Sequence, residues 1–338
     1  MPTTHMSFAP FHELDGRPHV VVDGPATEGT TLCLSHWPGT PALPASLEDD
    51  LSAQMAFRYL AHPNVLHGDA RLVSNNHFDQ DGLVSLHALI EPESALTQQE
   101  LLVDLAAAGD FGTYRYRDAA RASMVVSACT EPDRSPFGPL PPDYPEMTAH
   151  LYSELLPRVS DLVSRLEPFR DLWADEDAQL DASEAALGSG EVEIAEHPDV
   201  ELAVVTVHGR HDWSGHRFGG RRWSGVHPMA VNNATDRVVV LLVMPDGAYR
   251  LTHRYETWVT YRSRSLPPRV DLSPLAEELS AHDDVEWAAD PIEDILPSME
   301  PVAGGSSLSP GTVVATVIRH LAEGPRAVSG TATPGRRC

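Results

Sequence analysis

Lysine is missing from this chain: all 24 basic side chains are arginine, against 49 aspartates and glutamates. Its absence excludes Schiff-base chemistry, a pyridoxal phosphate aldimine and a phosphate-loop lysine, and with them several large enzyme classes. Cysteine is nearly as scarce. Cys33, Cys129 and Cys338 are odd in number and far apart, which argues against a disulfide framework and against a thiolate zinc site. Cys33 falls in an apolar run of strand length, where a thiol serves as a small hydrophobe rather than a nucleophile. Long apolar stretches are lacking too. No segment reaches the roughly 18–20 apolar residues of a membrane span, and MPTTHMSFAPFHELDG has neither the basic nor the apolar region of a signal peptide, so a cytoplasmic protein is expected.

Positive charge is in deficit, with a formal net charge of −25. That disfavours long nucleic acid as a partner and favours a cation. A small anionic substrate would have to be met by a local group of arginines. No membrane partner is expected, and a homodimer is left open.

What is present is a 338-residue chain that is 42% hydrophobic, enough for a sizeable core in two domains. The expected fold class is α/β, with an N-terminal, mostly parallel sheet carrying helices on both faces and a C-terminal α+β domain containing an antiparallel hairpin. The apolar runs at 19–23, 31–36 and 71–77 read as strands, and 47–60 and 83–90 as helices. A fourth apolar run at 101–105 reads as a strand leading into the loop AAAGDFG. Strands that are apolar throughout and alternate with helices favour a parallel sheet, whose ligand sites form at the carboxyl ends of the strands.

The polar residues fall at those ends. Asp23, the Ser35-His36 pair, Asp110 and the dense stretch NNHFDQDG, with His77, Asp79 and Asp81, each follow an apolar run. Carboxylates and imidazoles without thiolates suit manganese best, with iron or magnesium as alternatives. Asp23, His36, His77, Asp79, Asp81 and Asp110 are therefore the candidate metal ligands, and His77, Asp79 and Asp81 the candidate catalytic residues. The same residue types also cap helices and order turns, which is what a non-catalytic binding protein would use them for. A third reading takes His36, His77 and Asp79 as a facial triad for non-heme iron.

Further along, PDRSPFGPLPPDYP reads as a connector. Pro145 then opens a helix that carries Glu146, His150 and Glu154 on one face, a spacing that suits a solvated acidic face better than a metal site. The expected domains are residues 1–190, including a helical extension from about 145, and a β-rich substrate-binding domain over 191–323. Residues 324–338 are expected to form a disordered tail. The segment 208–236, rich in histidine and glycine, reads as one long loop. Strands are expected at 201–207, 237–244 and 249–262, and helices at 273–281 and 310–322. In the strand YRLTHRYETWVTYRSR, alternation puts Arg254, Arg262 and Arg264 on one face, an arrangement suited to gripping an anion.

The stretch VSNNHFDQDGLVSLHALI resembles the first motif of the DHH phosphoesterase superfamily, in which a strand leads to a histidine, two aspartates one position apart, a small residue and a buried helix. Asp79, Asp81, Gly82 and Ser85 fit that pattern. His77 stands one residue from Asp79, where the family has three. YRSRSLPPRVDLSPLAEEL is similar to the Arg-Ser region of the family's second domain, which would make Arg262 or Arg264 the substrate-facing arginine. The sequence has no Asp-His-His triplet, and AHDDVEWAADP stands where the family has a glycine-rich GGGH. A Gly-x-His run ending at His227 comes earlier, and His227 is carried as a candidate substrate-binding residue. The chain also resembles a family of actinobacterial proteins with no assigned function. The resemblance to the phosphoesterases implies a metal-dependent hydrolase acting on a phosphoester, small or oligonucleotide-like.

Overall fold

In the computed structural model, which describes residues 6–62, 64, 66–209, 216–218, 221–223 and 225–326, the valine and leucine runs build two main sheets. The first contains β1 (Ser7–Phe8), β2 (His19–Val22), β3 (Thr30–Leu34) and β4 (Leu72–Ser74), all parallel, in the order β1-β4-β2-β3. Val20, Val21 and Val22 are consecutive and all fully buried, so both faces of β2 are covered, as a parallel sheet requires.

The helices interleaved with and following these strands are α1 (Ser52–Ala61), α2 (Gln80–Ile90), α3 (Pro92–Thr97), α4 (Gln99–Asp110), α5 (Arg117–Cys129), α6 (Tyr144–Leu155), α7 (Val159–Ser164) and α8 (Arg170–Ser189). Helix α2 is buried along its length from Gln80 to Leu89, matching a sequence that offers it no polar face. The chain divides into two compact units. One comprises Met1–Ala178 with Val259–Arg264; the other comprises Gln179–Trp258 with Ser265–Cys338.

The second unit's sheet is mixed. It is formed by β5 (Val192–His197), β6 (Leu202–Val207), β9 (Val239–Val243), β10 (Tyr249–His253), β11 (Trp287–Ala289) and β12 (Ser298–Pro301), in the order β11-β12-β10-β9-β6-β5, and only the β6–β9 pair is parallel. Alternation along its strands fills two cores. Leu202, Val204, Val239 and Leu241 pack with Leu275, Leu279, Val313 and Val317, residues of α10 (Ser273–His282) and α11 (Pro310–Glu323). On the opposite parity, Val205, Val207 and Leu242 pack with Ala186 of α8 and Val231 of α9 (Pro228–Ala234). Between β6 and α9 lies a small hairpin, β7 (His216–Phe218) with β8 (Arg221–Trp223).

Several expectations need correction. The run 101–105 is not a strand but the middle of α4, where Leu102, Leu105 and Ala106 recur at helical spacing on the buried side. A short apolar run does not distinguish a strand from a buried helix. Asp110 accordingly ends a helix, not a strand. The segment 208–236 is not one loop, since β7, β8 and α9 lie within it. The strand expected over 249–262 stops at His253 and is followed by a 3₁₀ turn at Tyr255–Thr257, so it does not array Arg254, Arg262 and Arg264 on a single face. The physical reason is the Arg254–Glu256 ion pair at 2.5 Å, in which both side chains are buried. Of the expected tail, Arg326 pairs with Val270 in an isolated antiparallel bridge; residues 327–338, including Cys338, lie outside the described residues.

Candidate metal centre

Three parallel strands deliver their carboxyl ends to one edge of the first sheet, as the topology requires. Asp23 follows β2, His36 follows β3, and His77 and Asp79 follow β4. Asp81 comes from the first turn of α2, and Asp110 from the last turn of α4. The structure brings all six together.

Asp23 is the hub. His36 Nε2 stands 3.3 Å from Asp23 Oδ1, and His77 Nε2 stands 3.4 Å from Asp23 Oδ2. Around His36 Nε2 also lie Asp81 Oδ2 at 3.7 Å and Asp110 Oδ2 at 3.5 Å. Asp79 Oδ2 lies 2.8 Å from His77 Nε2. Two sets of three ligand atoms result, Asp23/His77/Asp79 and Asp23/His36/Asp81, and the atoms within each set are close enough to share one metal ion. Asp23 belongs to both. The triad His36/His77/Asp79 is not among these sets, because the two histidines approach different oxygens of Asp23.

The surroundings orient each ligand. His36 Nδ1 is 2.5 Å from Asp50 O, and His77 Nδ1 is 3.2 Å from Asn76 Oδ1. Both imidazoles thus use Nδ1–H as a donor to an outer acceptor and turn Nε2 inward, as metal-binding histidines commonly do. Ser52 N and Ala53 N, at the start of α1, donate to the two oxygens of Asp81 at 2.8 and 2.7 Å, and Ser52 Oγ donates to Asp23 Oδ1 at 2.8 Å. Asp79 caps α2 by accepting from Gly82 N at 2.8 Å. A Cβ at position 82 would stand 2.2 Å from Asn75 Nδ2 and 2.5 Å from Tyr152 Oη, so glycine there lets the helix start against the site. Tyr152 Oη in turn donates to His77 O at 2.6 Å.

Asp23 has φ of +46°, in the left-handed region, where a residue with a Cβ carries a cost of about 1 kcal/mol. Its amide donates to Leu34 O at 3.0 Å. Strained backbone of this kind concentrates at functional positions.

The charge balance is lopsided. Asp23, His36 and Asp81 are fully buried, and Asp79 is the most exposed ligand, at 26%. Four carboxylates face two imidazoles, an excess of negative charge even when both rings are protonated. Burial pushes the Asp81 carboxyl up to about 8, reinforced by the charge of Asp23. Burial and the charges of Asp81, Asp79 and Asp23 raise Asp110 well above the ordinary carboxylate range. Burial also opposes ionisation of Asp23, but the imidazoles of His36 and His77 outweigh it and hold that carboxyl low. Burial works against charge on His36 and His77, yet the carboxylates around them raise both. Asp23 Oδ2 and Asp110 Oδ2 are buried and accept no well-formed hydrogen bond from the described residues. Buried oxygens in that condition suit a cation.

The candidate substrate-binding residues are divided between the two units. Arg254 is buried in the second unit, bonded to Thr235 O, Arg237 O and Glu256. His227, also in the second unit, is fully buried and caps α9, its Nδ1 accepting from Met229 N at 3.1 Å. Arg262 and Arg264 belong to the first unit, where Arg262 pairs with Glu48 at 2.9 Å. On α6, Glu146 pairs with His12 and Glu154 with Arg158, as a solvated face does. Sequence reading missed Asp50, Ser52, Asn76 and Tyr152. Asp50 and Ser52 sit where a helix start is legible, but nothing in the sequence tells which carboxylate the α1 amides meet. Among the described residues, no helix is long and apolar enough to cross a membrane.

No curated protein and no solved structure matches this chain. Residues 4–332 match the model of a family of unknown function, DUF6687, and the chain belongs to that family.

Proposed function

We propose that the first unit is the metal-binding part of a metal-dependent hydrolase that acts on a phosphoester, in which Asp23, His36, His77, Asp79 and Asp81 would hold two divalent cations and Asp23 would serve both positions. The observation that carries this reading is the division of Asp23 between two triads, one oxygen toward His36 and Asp81 and the other toward His77 and Asp79. The donor set fits the group: it is oxygen and imidazole nitrogen, anionic in excess, buried, and oriented from outside. Manganese is the first choice of metal.

Bound there, a pair of divalent cations supplies electrophilic stabilisation of phosphoryl oxygens and activation of a water molecule. The protein's own groups do the rest. Asp79, the most exposed ligand, marks the side from which substrate and water arrive. Asp110 is left over when both triads are filled, and its Oδ2, 3.5 Å from His36 Nε2, adds a further oxygen to the surroundings of the buried triad. The pattern His77, Asp79, Asp81, Gly82 after a strand and before a buried helix supports kinship with the DHH phosphoesterases. The iron reading is weaker because its facial triad is split between the two sets.

The test is elemental analysis of the purified protein beside a His77→Ala/Asp79→Ala variant. The expected result is about one or two equivalents of manganese or iron in the wild type, depleted in the variant. Mn²⁺-dependent hydrolysis of bis-p-nitrophenyl phosphate should be lost with it. Protein that is metal-free and takes up no Mn²⁺, Fe²⁺ or Zn²⁺ in a titration overturns the proposal.

A further inference from the structure

His36 is held by a part of the chain more than two hundred residues away. The segment Val259–Arg264 belongs to the first unit, although Trp258 before it and Ser265 after it belong to the second. It grips the surroundings of His36 by three routes. Thr260 N donates directly to His36 O at 2.8 Å. Tyr261 packs edge-on against Phe111, at 5.6 Å between ring centroids, and Phe111 lies 6.4 Å from the His36 ring. The third route runs through Asp50. Its Oδ1 accepts from Arg262 N at 2.5 Å and from Ser263 N at 2.9 Å, and its Oδ2 accepts from Ser263 Oγ.

Asp50 therefore does two jobs with different atoms. Its carboxylate ties down the returning segment, while its backbone carbonyl receives His36 Nδ1 at 2.5 Å. Two residues later the chain enters α1, whose first amides hold Asp81 and whose Ser52 hydroxyl holds Asp23. All three members of the buried triad, Asp23, His36 and Asp81, thus depend on where residues 50–53 sit. The other triad shares Asp23, but its two further members are held from elsewhere. His77 and Asp79 take their support from Asn75, Asn76, Tyr152 and the start of α2.

We propose that Asp50 and Ser263 are positioning residues for the buried member of the metal pair, the one held by Asp23, His36 and Asp81, and that the segment 259–264 completes that position. This rests on the metal reading above and adds an asymmetry to it: one position needs the returning segment, the other does not. The physical basis is that outer hydrogen bonds fix the ring orientation of a ligating histidine, and their loss typically weakens metal binding by about tenfold to a hundredfold.

The experiment uses full-length protein, stripped with chelator and titrated calorimetrically with Mn²⁺, as wild type, Asp50→Asn and Ser263→Ala. Paramagnetic resonance of each loaded sample distinguishes a coupled pair of ions from an isolated one. The wild type should bind two equivalents and give a coupled signal. Both variants should keep one equivalent at wild-type affinity and weaken the other by about tenfold or more, with the six-line signal of an isolated ion at sub-saturating metal. If both equivalents bind as in the wild type, or both weaken equally as general loosening would make them, the inference is overturned. Ser263→Ala, which removes a single hydroxyl, carries the test if Asp50→Asn does not fold. A wild type that binds no Mn²⁺ instead overturns the metal reading itself, a result distinct from the others.

Discussion

In the second unit, buried Arg254 meets Glu256 at 2.5 Å and two backbone carbonyls, and buried Arg269 donates to Thr257 Oγ1 and to the carbonyls of Ile292, Asp294 and Ile295. In the first unit, Asp23, Asp81 and Asp110 are buried, and among the described residues the cationic groups beside them in the cluster are the two histidines. Both regions bury charge, but in the second unit it is met by one carboxylate or by several carbonyl oxygens, whereas in the first unit four carboxylates face two imidazoles. Buried charge that is met locally needs no ligand, whereas a buried anionic excess either takes up protons or takes up cations. The proposal of a metal centre takes the second outcome for the first unit's cluster, because its ligand atoms converge and its histidines turn Nε2 inward.

That comparison can be broken most decisively at Asp23. Asp23→Ala removes the shared ligand, so both cations should be lost together and Mn²⁺-dependent turnover should fall by about 10³-fold. Titration and phosphodiester assays check this, and a variant that retains one tight equivalent would show that Asp23 does not bridge. Next in size is the buried pair of the second unit. Arg254→Ala leaves Glu256 buried without its cation and should cost about 3–5 kcal/mol, whereas the double variant Arg254→Met/Glu256→Leu should cost far less. Urea unfolding measures both, and Mn²⁺ stoichiometry should be unchanged in the double variant.

The smallest effect separates the two regions by pH. Burial lowers His253 of the second unit to about 4, so between about 4 and 6.5 the unfolded chain binds the extra proton and stability rises with pH, by at most roughly 3 kcal/mol. Burial lowers His87 of the first unit to about 4 as well, so His253→Gln should shrink that acid limb without abolishing it. The metal-free cluster has the opposite sign. Asp81 rises from the ordinary carboxylate value to about 8, and Asp110, His36 and His77 are raised as well. There the native state holds the extra protons, so stability falls as pH rises from about 4 through about 8. The two trends overlap below about pH 6.5, so thermal unfolding from pH 4 to 9 should show the fall in chelator-stripped protein above about 6.5, saturating Mn²⁺ should remove it, and the difference between wild type and His253→Gln should isolate the acid contribution. An alkaline limb unaffected by Mn²⁺ would detach the cluster from metal binding.

Much of this protein was readable before its structure. Uniformly apolar runs such as VVV at 20–22 require burial on both faces, which selects a parallel sheet, and parallel strands bring Asp23, His36 and His77 to one edge by topology alone. Asp110 reached the cluster for a reason the sequence did not give, because a five-residue apolar run is compatible with α4 as well as with a strand. The arginine face was misread because local alternation continues through Arg254, while the chain turns there to pair that residue with Glu256.

Composition and periodicity determine which residue types are available and which strand ends they follow, since these depend on near neighbours along the chain. The absence of lysine and the oxygen and imidazole ligand set are of this kind. Tertiary structure alone decided that Asp23 turns one oxygen to each histidine, that the α1 amides meet Asp81, and that Ser263 returns to Asp50 from 213 residues away. Those contacts have no local signature. Each is a long-range pairing whose partner is set by how helices and loops pack on the sheet, and sequence spacing carries no information about that packing.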